Sequence, residues 1–307
     1  MPRIAYKTGR PGAERLDQIE TANEIINEYE LAGYKLTLRQ LYYQFVARDL
    51  IENSVRAYKR LGDAINEGRL LGLIDWAAIE DRTRNLSSLA TWSSPADIVQ
   101  ACAKQFRRDI WATQAVRVEV WVEKEALAGV VERTCRRLRI PFFACRGYVS
   151  QSEMWEAGRR LATWVDHHLQ RVVVLHLGDH DPSGIDMSRD IEARLELFMG
   201  RNASENLTFE RIALNMDQIE QYDPPPNPAK LTDSRANAYV ERFGDESWEL
   251  DALSPSVIDE LITAAVEPYI DRNEWRAFEA LERQDRAGLA DVSLNWDRVQ
   301  AALSEAS

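Results

Sequence analysis

The stretch Val172-Val-Val-Leu-His-Leu-Gly-Asp-His-Asp-Pro-Ser-Gly184 decides the fold of this chain. Its first half is a short apolar run, which is typical of a central strand buried on both faces of a sheet. Its second half is rich in turn-forming residues, and Pro182 suits the first position of a following helix. A buried strand that leads through a turn into a helix indicates an α/β domain.

The same alternation of strand and helix extends on both sides of this stretch. The predicted strands are 116–122, 141–145, 172–177 and 208–214, and the predicted helices between them are 125–138, 151–168 and 182–199. This spacing predicts a parallel or mostly parallel sheet that is covered by helices. Beyond the proline-rich loop 223–228 the chain is expected to be mainly helical.

The first part of the chain is predicted to be helical. Thr37-Leu-Arg-Gln40 has the form of a capping box and predicts a helix that runs to about Asp49. An earlier helix is predicted from apolar residues at helical spacing between Leu16 and Tyr29, and Gly33 ends it. A third helix is expected from about Ser54, and Gly72–Trp76 is predicted to form a short strand or wing. Three short helices and a wing suggest a winged-helix module, although an ordinary helical domain fits the same pattern.

These patterns predict four parts of the chain. They are a winged-helix-like domain over 1–95, a connecting helix over 96–116, a metal-binding α/β core over 117–222 and a mainly helical C-terminal extension over 223–307. The segment 82–95 is rich in serine, ends in Pro95 and is predicted to be a linker.

Composition and charge restrict the class of protein. The longest apolar run is far shorter than the roughly 20 residues of a membrane span, and the N-terminus lacks the apolar core of a signal peptide, so we expect a cytoplasmic protein without membrane contact. The 307 residues carry a net charge of −12. Residues 1–117 hold 17 Lys and Arg against 15 Asp and Glu, whereas 118–307 hold 21 against 35. This asymmetry indicates a neutral-to-basic arm on an acidic body.

Three carboxylates are expected at one edge of the predicted sheet. Asp179 and Asp181 follow the most apolar strand and are two residues apart, so both point to one side of an extended chain. Glu123 ends another strand, and parallel strands bring their carboxyl ends to the same edge. Carboxylate oxygens suit Mg²⁺, so a magnesium site is predicted. A solvated turn at the two aspartates and a charged helix start at Glu123 are the alternatives.

The helix that begins after Thr37 carries a candidate nucleophile. Its apolar stripe includes Tyr42 and leaves Tyr43 outside, on the same face as Arg39 four residues earlier. An exposed tyrosine beside an arginine suits attack on a phosphate, because the guanidinium stabilises the negative charge. The alternative is a surface tyrosine that packs on the arginine stem.

The next helix is predicted to present basic residues to solvent. Arg56, Lys59 and Arg60 lie opposite its apolar face and are candidates for contacts with DNA phosphates. Asp63 and Glu67 reduce this charge, so an ordinary solvated helix face is the alternative.

Taken together, these motifs resemble the topoisomerase VI A-subunit family, which includes the meiotic double-strand-break transesterases, and they are most similar to its small stand-alone branch. The family's Arg-x-x-Tyr-Tyr motif is matched by Arg39-Gln-Leu-Tyr42-Tyr43. Its Toprim signature is matched by Val122-Glu-Lys-Glu-Ala126 and Gly178-Asp-His-Asp-Pro-Ser-Gly184, and Gly147 matches the glycine that follows the second Toprim strand. The likeness spans about residues 35–225.

The resemblance implies a magnesium-dependent, DNA-cleaving Toprim enzyme. Tyr43 would be the nucleophile that forms a 5′-phosphotyrosyl link, with Arg39 as its electrostatic partner. Glu123, Asp179 and Asp181 would hold Mg²⁺, for which Mn²⁺ may substitute. The family further implies a homodimer on duplex DNA near the nucleoid, with each site shared between protomers. Because the sequence contains no recognisable ATP site, strand passage would need a separate ATPase subunit.

Two other functions fit the same residues. One is a hydrolytic Toprim nuclease in which Tyr43 is only structural. The other is a non-catalytic DNA-binding subunit of a larger complex.

Overall fold

A computed structural model describes residues 3–79, 89–229 and 235–305. Helices make up 62% of it, and its main sheet has four parallel strands. The predicted α/β class is therefore confirmed, while the finer assignment to winged-helix and Toprim modules stays a prediction. In the described part of the chain, no helix combines the length and the apolar character that crossing a membrane requires.

The helices and strands have the following bounds. The helices are α1 (Ala13–Leu31), α2 (Leu38–Ala47), α3 (Val55–Leu70), α4 (Pro95–Gln105), α5 (Ala128–Leu138), α6 (Gln151–His168), α7 (Pro182–Met199), α8 (Ala203–Asn206), α9 (Met216–Tyr222), α10 (Ala236–Phe243), α11 (Pro255–Val266), α12 (Arg272–Leu294) and α13 (Trp296–Glu305). The strands are β1 (Val116–Val122), β2 (Phe142–Ala144), β3 (Arg171–Leu177), β4 (Leu207–Ala213), β5 (Asn227–Pro228) and β6 (Glu246–Ser247). Four short 3₁₀ turns connect some of them: Glu125–Leu127, Gly200–Asn202, Leu250–Ala252 and Glu267–Tyr269.

The main sheet has the strand order β2-β1-β3-β4, so β3 lies inside the sheet as its apolar sequence predicts. Every residue of β3 after Arg171 is buried. The backbone amide of Glu123 donates to the carbonyl of Leu177 at 2.8 Å, which joins the carboxyl ends of β1 and β3. The predicted acidic residues therefore start from neighbouring strand ends.

The helices α1, α2 and α3 pack around one apolar core. The predicted capping box is formed at α2, where Thr37 accepts from the amide of Gln40 and Gln40 reaches back to Thr37. The strand expected at Gly72–Trp76 is not formed. The chain turns back instead, because the amides of Leu73 and Ile74 cap the end of α3 at the carbonyl of Gly68.

The described chain divides into two compact units. One contains residues 3–79 and 118–266, and the other contains 89–117 and 267–305. In the second unit, α4 packs against α12, and Ser293 donates to the carbonyl of Ala96 at 2.9 Å. The connecting helix expected over 96–116 ends at Gln105. Residues 106–115 form a loop instead, in which the Asp109 carboxylate accepts from the amide of Trp111. Residues 82–88 of the predicted linker lie outside the described residues.

Candidate functional site

The predicted carboxylates Glu123 and Asp179 are in direct contact. The backbone amide of Asp179 donates to Glu123 Oε2 at 2.9 Å, and both side chains are buried. Burial raises the pKa of Glu123, and the nearby negative charges of Asp179 and Asp181 raise it further. Burial likewise raises the pKa of Asp179. The fold therefore concentrates negative charge at this sheet edge, as the sequence predicts.

Asp181 has a structural role at the same edge. Its carboxylate accepts from the amide of Gly184 at 2.6 Å and caps the N-terminus of α7. Gly184 has no room for a side chain, because a Cβ there would lie 2.2 Å from the carbonyl oxygen of Asp179. The Asp181 cap and the absence of a side chain at Gly184 therefore both shape the turn that places Asp179 beside Glu123.

The pair Arg39 and Tyr43 lies side by side on α2, with the guanidinium carbon 5.8 Å from the centre of the tyrosine ring. The expectation that Tyr43 is exposed is wrong, since only 3% of it is accessible. Tyr43 is buried because the segment around Glu249, which is distant in sequence, covers this face of α2. Ala252, just after this segment, is part of the apolar core that α1, α2 and α3 form. Tyr42 is buried as expected, and its hydroxyl donates to Asn53 Oδ1 at 2.9 Å.

The covering segment Glu249-Leu250-Asp251, which we call the acidic strap, was not foreseen from the sequence. Its two carboxylates both bind Arg39: Glu249 accepts from Nη2, and Asp251 Oδ2 lies 2.7 Å from Nε. The amide of Leu250 donates to Asp179 Oδ1 at 2.8 Å. The strap therefore joins the tyrosine helix to the carboxylate edge within one compact unit.

Lys124 lies at the centre of this network. Its ammonium contacts Asp179 Oδ2 at 2.8 Å, Glu249 Oε2 at 2.9 Å and Asp251 Oδ1 at 3.0 Å. An ammonium has three donors, so these three carboxylates can use all of them. Burial alone would lower the pKa of Lys124, but the three carboxylates raise it overall. In the sequence this lysine is only part of a charged helix start.

The same charges act on the tyrosine and on the strap. Burial, followed by the negative charges of Glu249 and Asp251, raises the pKa of Tyr43. The pKa of Glu249 falls to about 2: burial opposes this fall, but the cations Lys124 and Arg39 outweigh it. The network at neutral pH therefore pairs an ionised Glu249 with a protonated Tyr43.

Two clefts open beside the network, and Arg39 borders both. One has a volume of about 410 Å³ and is lined by Tyr43, Glu249 and the first turn of α3. The other has a volume of about 360 Å³ and is lined by Glu123, Lys124 and the Gly147 turn. Arg39 can therefore contact a ligand that enters from either side.

The predicted basic face of α3 adjoins the cleft that contains Tyr43. Val55 and Tyr58 line this cleft, while Arg56 and Lys59 are exposed on the other faces of the same helix. Arg60 is also exposed and lies 3.8 Å from Glu52, a separation that leaves it accessible. The three basic side chains are therefore accessible to solvent.

The three carboxylates are the kind of oxygen ligand that Mg²⁺ requires, but they already bind other groups of the protein. No group of three or more His, Cys, Asp or Glu side chains in the described ranges is arranged to hold a metal ion. The reason is visible in the contacts, since Lys124 binds Asp179 and Asp181 caps α7. The raised pKa values of Glu123 and Asp179 nevertheless mark a place where added positive charge is favourable. Binding of a metal ion by these residues would therefore require Lys124 to release Asp179.

A scan of the chain against models of protein families finds no match, and no curated protein matches it.

Proposed function

We propose that this chain is a DNA-cleaving enzyme of the topoisomerase VI A-subunit kind, in which a tyrosine forms a covalent bond to a DNA strand end. The observation that carries the proposal is the connection between the two motifs. Arg39 and Tyr43 are linked through the acidic strap to Lys124 and Asp179, although the motifs are far apart in sequence. A nucleophile, two cations and a carboxylate edge thus meet around one pair of clefts.

The proposed reaction is a transesterification. The Tyr43 oxygen bonds to the phosphorus as the bond from phosphorus to the 3′ oxygen breaks, which leaves a 5′-phosphotyrosyl link and a 3′ hydroxyl. The phenolic proton passes to solvent water, and the departing 3′ oxygen takes a proton from water. Arg39 stabilises the negative charge that grows on the phosphate oxygens. Because the energy of the phosphodiester bond is retained, the same groups can reseal the strand.

The remaining parts of the proposal follow the resemblance. Glu123, Asp179 and Asp181 would hold Mg²⁺, with Mn²⁺ as a substitute, and the bound ion would neutralise charge on the phosphate and the carboxylates. Duplex DNA would contact Arg56, Lys59 and Arg60. A homodimer would act on both strands, and strand passage would need a separate ATPase subunit.

One observation favours a second candidate, a hydrolytic nuclease. Tyr43 is buried, which suits a structural residue. In that case activated water attacks the phosphorus, and the products carry no protein.

The two candidates differ in whether protein remains on the DNA. Supercoiled plasmid is incubated with the protein and Mg²⁺, denatured, and run on gels with and without protease treatment. Transesterification predicts cleaved DNA that enters the gel normally only after protease, loss of this species in Tyr43→Phe, and its retention in the control Tyr42→Phe. Cleavage with free ends in both variants would support the nuclease instead.

A further inference from the structure

We infer that Arg39 and Lys124 form a binding site for one DNA phosphodiester, that the Glu249 carboxylate occupies this site as an internal anion until DNA displaces it, and that Asp251 orients the two cations. The inference rests on the proposed function, because it names the groups that receive DNA at the same clefts.

The arrangement of charges matches what a phosphodiester needs. Arg39 comes from α2 and Lys124 follows β1, yet Glu249 bridges them by accepting from both side chains. A phosphodiester has two non-bridging anionic oxygens, which can bridge a guanidinium and an ammonium in the same way. Since Arg39 borders both clefts, a phosphate in this position is within reach of the Tyr43 side.

The strap leaves one strong donor of Arg39 unused. The Nε atom lies 2.7 Å from Asp251 Oδ2, but Nε is buried and has no hydrogen-bond acceptor among the described residues. The ion pair therefore lacks the alignment of a hydrogen bond. A buried guanidinium N–H without an acceptor is costly, so the strap does not satisfy Arg39 completely.

The two strap carboxylates differ in their freedom to leave. The Asp251 side chain is fully buried, and the next residue, Ala252, belongs to the apolar core. The Glu249 side chain keeps 28% of its surface exposed and lines the cleft that contains Tyr43. Glu249 can therefore turn toward solvent while Asp251 stays in place between the two cations.

Displacement of Glu249 would also bring the phosphate to the nucleophile. Tyr43 and Glu249 line the same cleft, so an incoming phosphate that replaces this carboxylate comes next to the tyrosine. Binding of DNA and displacement of Glu249 are thus one exchange of anions beside Tyr43.

The test measures binding of a fluorescently labelled 24-base-pair duplex by anisotropy, with the full chain in EDTA and at several salt concentrations. Glu249→Gln removes the competing charge and is expected to tighten binding about tenfold. The matched control Glu246→Gln removes the same charge three residues earlier, from an exposed side chain, and should change binding less than twofold. Equal effects of the two variants, or weaker binding by Glu249→Gln, would overturn the inference.

A second pair of variants keeps the test decisive if Glu249→Gln does not fold. Lys124→Gln is expected to weaken binding and to lower the log–log salt slope by about 0.9, the value for one lost phosphate contact on duplex DNA. Glu249→Asp, which shortens the arm but keeps its charge, should tighten binding about threefold. Thermal unfolding shows which variants are folded. The inference is contradicted if folded Lys124→Gln has the salt slope of the wild type, or if the wild-type chain does not bind the duplex.

The binding assay tests the phosphate site and the cleavage assay tests the proposed function, so either proposal can fail without the other. Tighter binding by Glu249→Gln without any protein–DNA adduct on plasmid would uphold the phosphate site and defeat the proposed function. An adduct together with unchanged binding would do the reverse.

Discussion

The Lys124 ammonium lies 2.8 Å from Asp179 Oδ2, so the cation bound at the carboxylate edge is a side chain of the protein itself. Asp179 is also held by the amide of Leu250 and contacts Glu123 through its own amide. An incoming metal ion must therefore compete with Lys124 for this carboxylate, and the first prediction tests that competition.

Mg²⁺ is expected to raise the thermal unfolding temperature of the wild-type chain and not that of the Asp179→Ala, Asp181→Ala double variant. The reason is that binding to the folded state alone stabilises it, by about 2.7 kcal/mol at a hundred times the dissociation constant. Differential scanning fluorimetry across a Mg²⁺ titration measures the shift. The double variant Asp245→Ala, Glu246→Ala removes the same charge from exposed positions and should respond as the wild type does. Equal shifts in all three proteins would exclude this site.

Mixing two inactive variants tests whether sites are shared between protomers. If the tyrosine of one protomer meets the carboxylates of its partner, a heterodimer of Tyr43→Phe and Glu123→Ala has one site with both defects and one intact site. Nicking of supercoiled plasmid should then return. Tyr43→Phe mixed with Arg39→Gln is the matched control, because both defects lie on α2 and every site keeps one. If subunits exchange and no nicking returns, each protomer builds its own site through the strap.

Gly184→Ala is expected to destabilise the fold by about 1–3 kcal/mol, the usual cost of overpacking. The added Cβ would lie 2.2 Å from the carbonyl oxygen of Asp179, which is backbone and cannot rotate away. Urea unfolding measures the change. Gly288→Ala, on α12 with no atom within 4 Å of the new Cβ, should be neutral or stabilising. Equal stability of both variants would show that the turn at Asp179 relaxes freely.

His176 is expected to make the fold sensitive to acid. Burial, and next the positive charge of Arg211, lowers the pKa of His176 to about 3 from its ordinary 6.5. Between these values the unfolded chain binds one more proton than the folded chain, so stability falls as the pH falls, by up to about 1.4 kcal/mol per pH unit. Urea unfolding between pH 6.5 and pH 4 should show a smaller slope for His176→Gln than for the wild type. The exposed His167→Gln is the control, and identical slopes for both variants would contradict the assignment.

The basic face of α3 is expected to supply phosphate contacts. Replacing Arg56, Lys59 and Arg60 together by alanine should lower the log–log salt slope of duplex binding by up to about 2.7, at about 0.9 for each contact. Anisotropy at several salt concentrations measures the slope. The Mg²⁺ response of the same variant should stay as in the wild type, since these residues lie on α3, away from the sheet edge. A slope within error of the wild type would remove this face from the DNA path.

Most element bounds around the sheet follow from local signals in the sequence. Helix α6 and strand β1 have the predicted bounds because their signals are local: Ser150 caps the helix, and alternating apolar residues mark the strand. The meeting of Glu123 and Asp179 was also predictable, since parallel strands bring their carboxyl ends to one edge.

The surroundings of these residues depend on contacts between distant parts of the chain. The helical period correctly placed Tyr43 beside Arg39, but it could not show that Tyr43 is buried, because burial depends on the chain that covers the helix. That covering segment includes Glu249, which lies 210 residues from Arg39 and 125 from Lys124. Periodicity and capping report only contacts along one element, whereas ion pairs across such separations depend on how distant segments of one unit pack together. The acidic strap, whose carboxylates pair with both cations, could therefore not be predicted from a C-terminal region that is rich in carboxylates.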